Sequence, residues 1–122
     1  PLRSLEDLRE SLDLFEHSGS DLVLTVALAD SSVLKWGEVS ENGFFQPLSK
    51  VKHVFTNRQS LPAVYKPNGA VYVFSAEWLL KNKEIVNAQT ISAVKMPNSR
   101  SHDIDTLEDF ALCQEILTDS RE

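Results

Sequence analysis

The feature that most restricts the fold of this chain is a nearly continuous apolar run at residues 22–28. The run reads Leu-Val-Leu-Thr-Val-Ala-Leu, so apolar side chains occupy both alternating faces. Strict alternation would predict a strand with one solvated face, whereas a short continuous run fits a strand covered on both faces. Strands of that kind lie in parallel or mixed sheets between layers of helices. The run therefore predicts an α/β fold in which helices flank a mixed sheet.

A helix is predicted immediately before this strand. Ser4 and Asp7 have the spacing of a capping box, with Asp in place of the usual Glu or Gln. Apolar residues then recur on one helical face as far as Phe15. Gly19 suits a C-terminal cap, so the helix should end just before it.

Three more elements are predicted farther along the chain. Residues 70–74 are rich in β-branched and aromatic side chains and predict a strand, after which Ser75 can cap a short helix. Residues 90–96 predict a last strand, and Thr106 with Asp109 resembles the capping pattern of a final helix. The inner face of that helix is predicted to carry Phe110, Cys113, Ile116 and Leu117.

Between the first two strands the sequence changes character and predicts a β-hairpin. An Asn-Gly pair at positions 42 and 43 separates two short runs that contain Trp36, Phe44 and Phe45. A two-stranded ribbon cannot bury that much aromatic surface by itself. We therefore expect the hairpin to pack against another surface, for which a second copy of the chain is one candidate.

Composition excludes several classes of function. With 122 residues, of which 42% are hydrophobic, the chain can form one globular core and is not of the disordered type. A net charge of −6 disfavours nonspecific binding to nucleic acid or to an anionic membrane, and no apolar run approaches the roughly 20 residues that span a bilayer. The single cysteine, Cys113, rules out an internal disulfide and a cysteine-based zinc site.

The first candidate site is the segment at residues 65–72, where a predicted turn leads into a strand. Pro67 restricts φ, and Asn68 with Gly69 tolerates the positive φ of a tight turn. The segment also carries an ammonium group on Lys66 and two phenols, so it can present several hydrogen-bonding groups on a rigid strand. An ordinary junction between loop and strand would have the same spacing.

The second candidate site is an acidic pair at Asp103 and Asp105. In an extended segment both carboxylates would share one face while Ile104 pointed into the core. Two hard oxygen ligands suit Mg²⁺, which usually takes one or two carboxylates together with water and substrate oxygens. The alternative is an acidic strand end that leads into a helix cap.

The two candidate sites, together with two shorter motifs, resemble the acylneuraminate cytidylyltransferases, or CMP-sialic acid synthetases. The resemblance covers essentially the whole chain and implies a Rossmann-like nucleotide-diphospho-sugar transferase fold. It also implies Mg²⁺-dependent transfer of CMP from CTP to a sialic-type sugar acid, with release of pyrophosphate. The matching segments are Pro1-Leu2-Arg3, Arg58-Gln59-Ser60-Leu61-Pro62, residues 65–72, and Asp103-Ile104-Asp105-Thr106 with Asp109-Phe110.

The resemblance assigns expected roles to individual residues. Asp103 and Asp105 would be the metal ligands and the catalytic pair, and Arg58 would hold the sugar carboxylate through its planar fork. Lys66 stands where the motif often has arginine, so it keeps the charge without the fork. The residues expected to bind the substrate are Arg58, Gln59, Lys66, Asn68, Tyr72 and, with a looser match, Lys35.

The resemblance also implies an organisation for the parent enzyme. Residues 1–122 would form the C-terminal half of one cytidylyltransferase domain, and residues 31–60 would be its dimerisation hairpin. The CTP-binding half, with a basic glycine-containing loop, would precede Pro1, and no such loop occurs in this sequence. We therefore expect a cytoplasmic homodimeric enzyme as the parent and an inactive isolated chain.

Alternatives stay open at this point. The chain can be a non-catalytic module for sugar-acid binding or dimerisation. Ile85 and Val86 stand where synthetases for N-acetylneuraminate often have two phenylalanines, which is compatible with legionaminate or pseudaminate as the substrate. A synthetase for 3-deoxy-manno-octulosonate matches less well around residues 65–72.

Overall fold

The computed structural model describes residues 1–119, which form two compact units. The first unit combines Pro1–Leu28 with the chain from Lys66 onward, and the second is Ala29–Tyr65. The helices and strands, in chain order, are α1 (Leu5–Ser18), β1 (Leu22–Ala29), β2 (Gly37–Val39), β3 (Phe45–Pro47), α2 (Val51–Val54), β4 (Val64–Phe74), α3 (Ala76–Asn82), β5 (Ile91–Met96) and α4 (Leu107–Asp119).

The three long strands form a mixed sheet in the order β4-β1-β5. Strands β1 and β5 are parallel, with Leu22 opposite Ile91 and Ala27 opposite Met96. As the apolar run predicts, β1 is the central strand, and Val23 and Thr25 within it are almost completely buried. The prediction of an α/β fold with a mixed sheet flanked by helices is confirmed.

Helix α1 begins and ends where its capping signals predict. The Ser4 side chain accepts a hydrogen bond from the backbone N–H of Asp7, and the Asp7 carboxylate accepts one from the backbone N–H of Ser4. Gly19 ends the helix in the left-handed region, with φ +66°. Because these signals act over three or four residues, the local sequence is sufficient to place both ends.

The predicted turn at residues 66–69 is wrong, because β4 runs continuously through it. Gly69 does adopt the expected positive φ, at +68°, but as an irregularity within the strand. The side chain of Asn68 accepts a hydrogen bond from the backbone N–H of Ala70, which is local pairing of the kind that asparagine makes in turns. The residues that were expected to form a turn before the strand are therefore part of the strand itself.

Helix α4 forms as predicted, but its inner face is open. Cys113 is buried, whereas Phe110 is 55% exposed and Leu117 is 39% exposed. These three side chains line an apolar groove of about 400 Å³. Within residues 1–119, no helix is both long and apolar enough to cross a membrane.

The second unit contains the predicted hairpin, with β2 antiparallel to β3 and Val39 opposite Phe45. The connection closes through a hydrogen bond from the N–H of Gly43 to the carbonyl of Ser40, and Gly43 has φ +82°. Several large apolar side chains of this unit are at least half exposed. They are Trp36, Val39, Phe44, Phe45, Leu48, Val51 and Phe55.

Candidate functional site

The amide of Asn68 joins all three strands of the sheet. Its Oδ1 accepts a hydrogen bond from the hydroxyl of Thr25 in β1 at 2.7 Å, in addition to the one from Ala70. Its Nδ2 donates to the Ser101 hydroxyl at 2.9 Å and contacts the sulfur of Met96, in β5, at 3.4 Å. The family resemblance assigns Asn68 to the sugar, but nothing in the sequence indicates these internal partners.

A small polar cleft of about 40 Å³ opens beside this asparagine. Asn68 and Gly69 form one wall, and Arg100, His102 and Asp103 form another. The cleft therefore contains an amide, a guanidinium, an imidazole and a carboxylate, and it belongs wholly to the first unit. The first member of the predicted acidic pair and the predicted Asn-Gly element thus face the same space.

The acidic pair lies in an irregular segment and not at the end of a strand. Strand β5 ends at Met96, and a single helical turn separates it from Asp103. Ile104 is 37% exposed, so the expectation that it points into the core is wrong. Asp103 accepts from the backbone N–H of Ile104, and the backbone N–H of Asp105 donates to Asp109. The segment therefore serves partly as the approach to α4.

Magnesium was predicted from the acidic pair, and the donor atoms fit that ion. Two carboxylates separated by one residue supply hard oxygen ligands, and Mg²⁺ commonly completes its shell with water and substrate phosphates. In the part of the chain that the structure covers, no cluster of three or more His, Cys, Asp or Glu side chains could hold a metal. Asp103 and Asp105 would therefore hold Mg²⁺ only together with further ligands, such as water and substrate oxygens.

An ion pair between Arg100 and Asp7 anchors the loop that carries the acidic pair. The Arg100 Nη2 lies 2.7 Å from Oδ1 of Asp7, and its Nε lies 3.3 Å from Oδ2. The Asp7 side chain is 4% exposed, and the hydrogen bond from Arg100 holds the pKa of Asp7 below its ordinary value of 3.8. The two residues are 93 positions apart, so the sequence does not reveal the ion pair. The sequence identified Asp7 only as a member of the capping box.

The N-terminal Pro-Leu-Arg motif packs against the same region. Leu2 is buried, and the guanidinium of Arg3 donates to the carbonyl of Ala70 at 2.8 Å. Pro1, Leu2 and Arg3 all contribute to the lining of the polar cleft. In the sequence this motif carries only the family resemblance, whereas in the structure it braces the strand next to Asn68.

Two of the predicted sugar-binding residues, Lys66 and Tyr72, lie in the first unit on β4. Both are exposed, with Tyr72 at 47%, and so can reach a ligand. Neither lines the polar cleft beside Asn68.

The other three predicted binding residues belong to the second unit. Arg58 is mostly exposed and donates from Nη2 to Asp30 at 2.9 Å, so one arm of its fork is occupied. The backbone N–H of Ser32 is the larger cause of the lowered pKa of Asp30, and Arg58 adds to it. Gln59 is exposed, and Lys35 is half-buried at the end of a short helical turn.

Several known proteins are similar in sequence to this chain. An N-acylneuraminate cytidylyltransferase from Streptococcus agalactiae is 26% identical over 110 residues, which are 90% of this chain and 26% of that protein. A CMP-N,N'-diacetyllegionaminic acid synthase from Legionella pneumophila is 26% identical over 122 aligned positions, covering 96% of this chain and 50% of that protein. This chain is a relative of the acylneuraminate cytidylyltransferases.

A third relative has a different kind of name. The post-translational flagellin modification protein B of Campylobacter coli is 26% identical over 118 residues, which are 96% of this chain and 48% of that protein. No family model matches the chain. The chain thus spans about half the length of two of these relatives and about a quarter of the length of the third.

Proposed function

We propose that this chain supplies the sugar-binding and metal-binding part of a cytidylyltransferase that acts on a nonulosonic acid. The observation that carries the proposal is the polar cleft shared by Asn68 and Asp103. Residues that the family resemblance assigns to sugar and to metal, 35 positions apart, face one space there. A cytoplasmic location goes with this proposal.

The reaction would join a sugar acid to CMP. The anomeric hydroxyl of the sugar attacks the α-phosphorus of CTP, the bond from that phosphorus to the bridging oxygen breaks, and pyrophosphate leaves. The hydroxyl proton passes to solvent or to a nearby base. Such a transfer depends mainly on in-line placement and on neutralising charge on the phosphate oxygens.

Asp103 and Asp105 would hold Mg²⁺ at this centre. The ion, when bound, neutralises charge on the phosphate oxygens of CTP. The two carboxylates leave most of its coordination positions open, which is the arrangement expected for an ion that must also contact phosphate.

The family resemblance assigns placement of the sugar to side chains of β4 and to Arg58. On β4, Lys66 and Tyr72 are exposed and able to donate hydrogen bonds. Asn68 lines the polar cleft, where its amide would contact a hydroxyl or amide group of the sugar. Arg58 would meet the sugar carboxylate with the arm of its fork that does not face Asp30.

The identity of the sugar acid is the finer question. One relative is named for N-acylneuraminate and another for N,N'-diacetyllegionaminate. Ile85 and Val86, the positions where a phenylalanine pair would favour N-acetylneuraminate, form a short turn in which Val86 is 82% exposed. We favour a diacetylated sugar of the legionaminate type, because the aromatic pair is missing and the chain resembles that synthase over 96% of its length.

The decisive experiment is a pyrophosphate-release assay with CTP and a panel of nonulosonic acids. It is run on this chain alone and on the longest open reading frame that contains it. We expect turnover only by the longer protein, because the basic glycine-containing loop assigned to CTP is not among these 122 residues.

The same assay tests the acidic pair with variants of the longer protein. Asp103→Asn and Asp105→Asn should each lower kcat roughly a hundredfold, the scale on which losing one group that stabilises transition-state charge slows an enzyme. Glu108→Gln, a nearby exposed carboxylate, is the matched control and should keep full activity. Unchanged activity in both aspartate variants would remove the metal assignment.

Sugar-acid binding without turnover, by either this chain or the longer protein, would favour the non-catalytic module.

Homodimerisation through the second unit is the remaining part of the proposal. The exposed Trp36, Phe44 and Phe55 offer the kind of apolar surface that marks an interface. Light scattering should give a dimer for the wild type and a monomer for Phe44→Ser. Leu80→Ser, at an even more exposed apolar position in the first unit, should leave the dimer intact.

A further inference from the structure

Two consecutive residues tie the segment that carries the acidic pair to the rest of the first unit. Arg100 reaches back to Asp7 at the start of α1, and Ser101 accepts a hydrogen bond from Asn68 on β4. The Ser101 hydroxyl also donates to the carbonyl of Pro97. The chain therefore leaves β5 with anchors on two sides, immediately before Asp103.

We infer that Arg100 and Ser101 are positioning residues that set the direction in which the acidic pair leaves the sheet. No side chain of the pair is buried, and Ile104 is itself partly exposed, so packing contributes little to its orientation. The segment from Ser101 to Asp105 is held at its start by the contacts of Arg100 and Ser101. At its end it is held by the hydrogen bonds that Asp105 and Thr106 donate to Asp109.

The ion pair between Arg100 and Asp7 should hold the segment firmly. The guanidinium makes two hydrogen bonds to the carboxylate, and paired charged hydrogen bonds of this kind fix orientation as well as distance. Asp7 cannot move freely, because it is 3% exposed and its Oδ2 also accepts from the backbone and the hydroxyl of Ser4. Arg100 is therefore held by a partner that belongs to the rigid start of a helix.

The Asn68 anchor couples the two candidate sites. The Oδ1 of Asn68 is fixed by the buried hydroxyl of Thr25, which in turn accepts from the backbone N–H of Val71. The Nδ2 of the same amide then reaches Ser101 at 2.9 Å. A displacement of β4 would thus move the start of the acidic segment with it. Asn68 acts here through another residue, in addition to any contact with a ligand.

Backbone ¹⁵N relaxation of this chain tests the inference without any ligand. Order parameters at residues 101–105 should be near 0.85, the value of rigid backbone, and should fall to roughly 0.6 or below in Asp7→Asn. Asp13→Asn makes the same change of charge on an exposed side of the same helix and should leave them unchanged. Arg100→Lys, which keeps the charge without the fork, should give an intermediate fall.

A purely structural role predicts a different result. If Asp7→Asn lowers Tm but leaves the order parameters of residues 101–105 at the wild-type level, the pair supports the fold without positioning the segment, and the inference fails. A segment that is already mobile in the wild type would overturn it equally. Ser101→Ala, which removes only the second anchor, supplies a variant with an undisturbed α1 should Asp7→Asn not fold.

A second measurement rests on the proposed function and can fail separately. Mn²⁺ serves as a paramagnetic probe that broadens the amide signals of residues near it. If Asp103 and Asp105 bind a divalent cation, broadening at residues 103–105 should require about tenfold more Mn²⁺ in Asp7→Asn than in the wild type. No broadening in the wild type would count against the metal assignment alone, because the relaxation result does not depend on it.

Discussion

Thr25, in the middle of the central strand, donates its hydroxyl hydrogen to Oδ1 of Asn68, 43 positions later in the chain, at 2.7 Å. Its oxygen also accepts from the backbone N–H of Val71 at 3.0 Å. Thr25 is 1% exposed and Val71 is 8% exposed, so the N–H of Val71 would lose its partner without gaining access to water if the hydroxyl were removed. The one polar side chain in an otherwise apolar strand therefore determines how the candidate sugar-binding asparagine is held.

Replacing Thr25 by valine keeps the shape of the side chain and removes the hydroxyl. We expect the free energy of unfolding to fall by about 1–3 kcal/mol, because buried polar groups on β4 lose a partner. Urea denaturation monitored by tryptophan fluorescence measures the change. Thr25→Ser keeps the hydroxyl and should preserve the bond to Asn68, so a valine variant as stable as the serine variant would contradict this account.

The buried carboxylate of Asp7 should make stability depend on pH. Its pKa is lowered in the folded protein, first by the hydrogen bond from Arg100, so the stabilisation is fully present above the unfolded value of about 3.8 and is lost as pH falls through the lower folded value. Thermal unfolding between pH 7 and pH 2 should show a smaller acid loss of Tm in Asp7→Asn than in the wild type.

Other carboxylates also contribute to acid unfolding, so a control is needed for that comparison. The pKa values of Asp30 and Asp109 are lowered as well, each chiefly by a local hydrogen bond. Asp13→Asn, on the exposed side of α1, should reproduce the wild-type dependence. Parallel curves for the two variants would mean that the ion pair does not stabilise the fold.

The hairpin should not tolerate a side chain at Gly37. A Cβ built there meets the ring of Phe45 and lies 2.5 Å from the backbone carbonyl of Gln46. A backbone atom cannot yield as a flexible side chain can, so Gly37→Ala should open the pairing of β2 with β3. If the second unit forms the dimer, the variant should be monomeric in light scattering, whereas Gly43→Asn, at a left-handed position with open space, should stay dimeric.

The stability of helix α4 should depend on its N-terminal cap. The hydroxyl of Thr106 accepts from the backbone N–H of Asp109 at 3.2 Å, and loss of such a cap typically costs about 1 kcal/mol. Thr106→Ala should therefore lower the free energy of unfolding by about that amount in urea titrations. Thr118→Ala removes a hydroxyl that bonds only to the carbonyl of Gln114 in the same helix and should have little effect.

Much of the secondary structure follows from signals that act over a few residues. The capping pairs of α1 and α4, the left-handed Gly19 and the Asn-Gly hairpin are all present where their local sequence predicts them. The turn expected at residues 66–69 is the informative failure, since Pro67 and Asn68 have turn propensity but lie within β4. Sheet pairing outweighed a local preference that is worth little by itself.

The sequence alone determined the class of fold, because a short apolar run without alternation can be buried only between two covering layers, and it determined which side chains carry the candidate chemistry. Only the tertiary structure decided how those side chains are held. Asn68 is hydrogen-bonded to Thr25, 43 positions away, and to Ser101, 33 positions away. Asp7 forms an ion pair with Arg100, which is 93 positions away. Such partners are set by the order of strands in the sheet and by the packing of α1 on β5, and neither leaves a periodic signal along the chain.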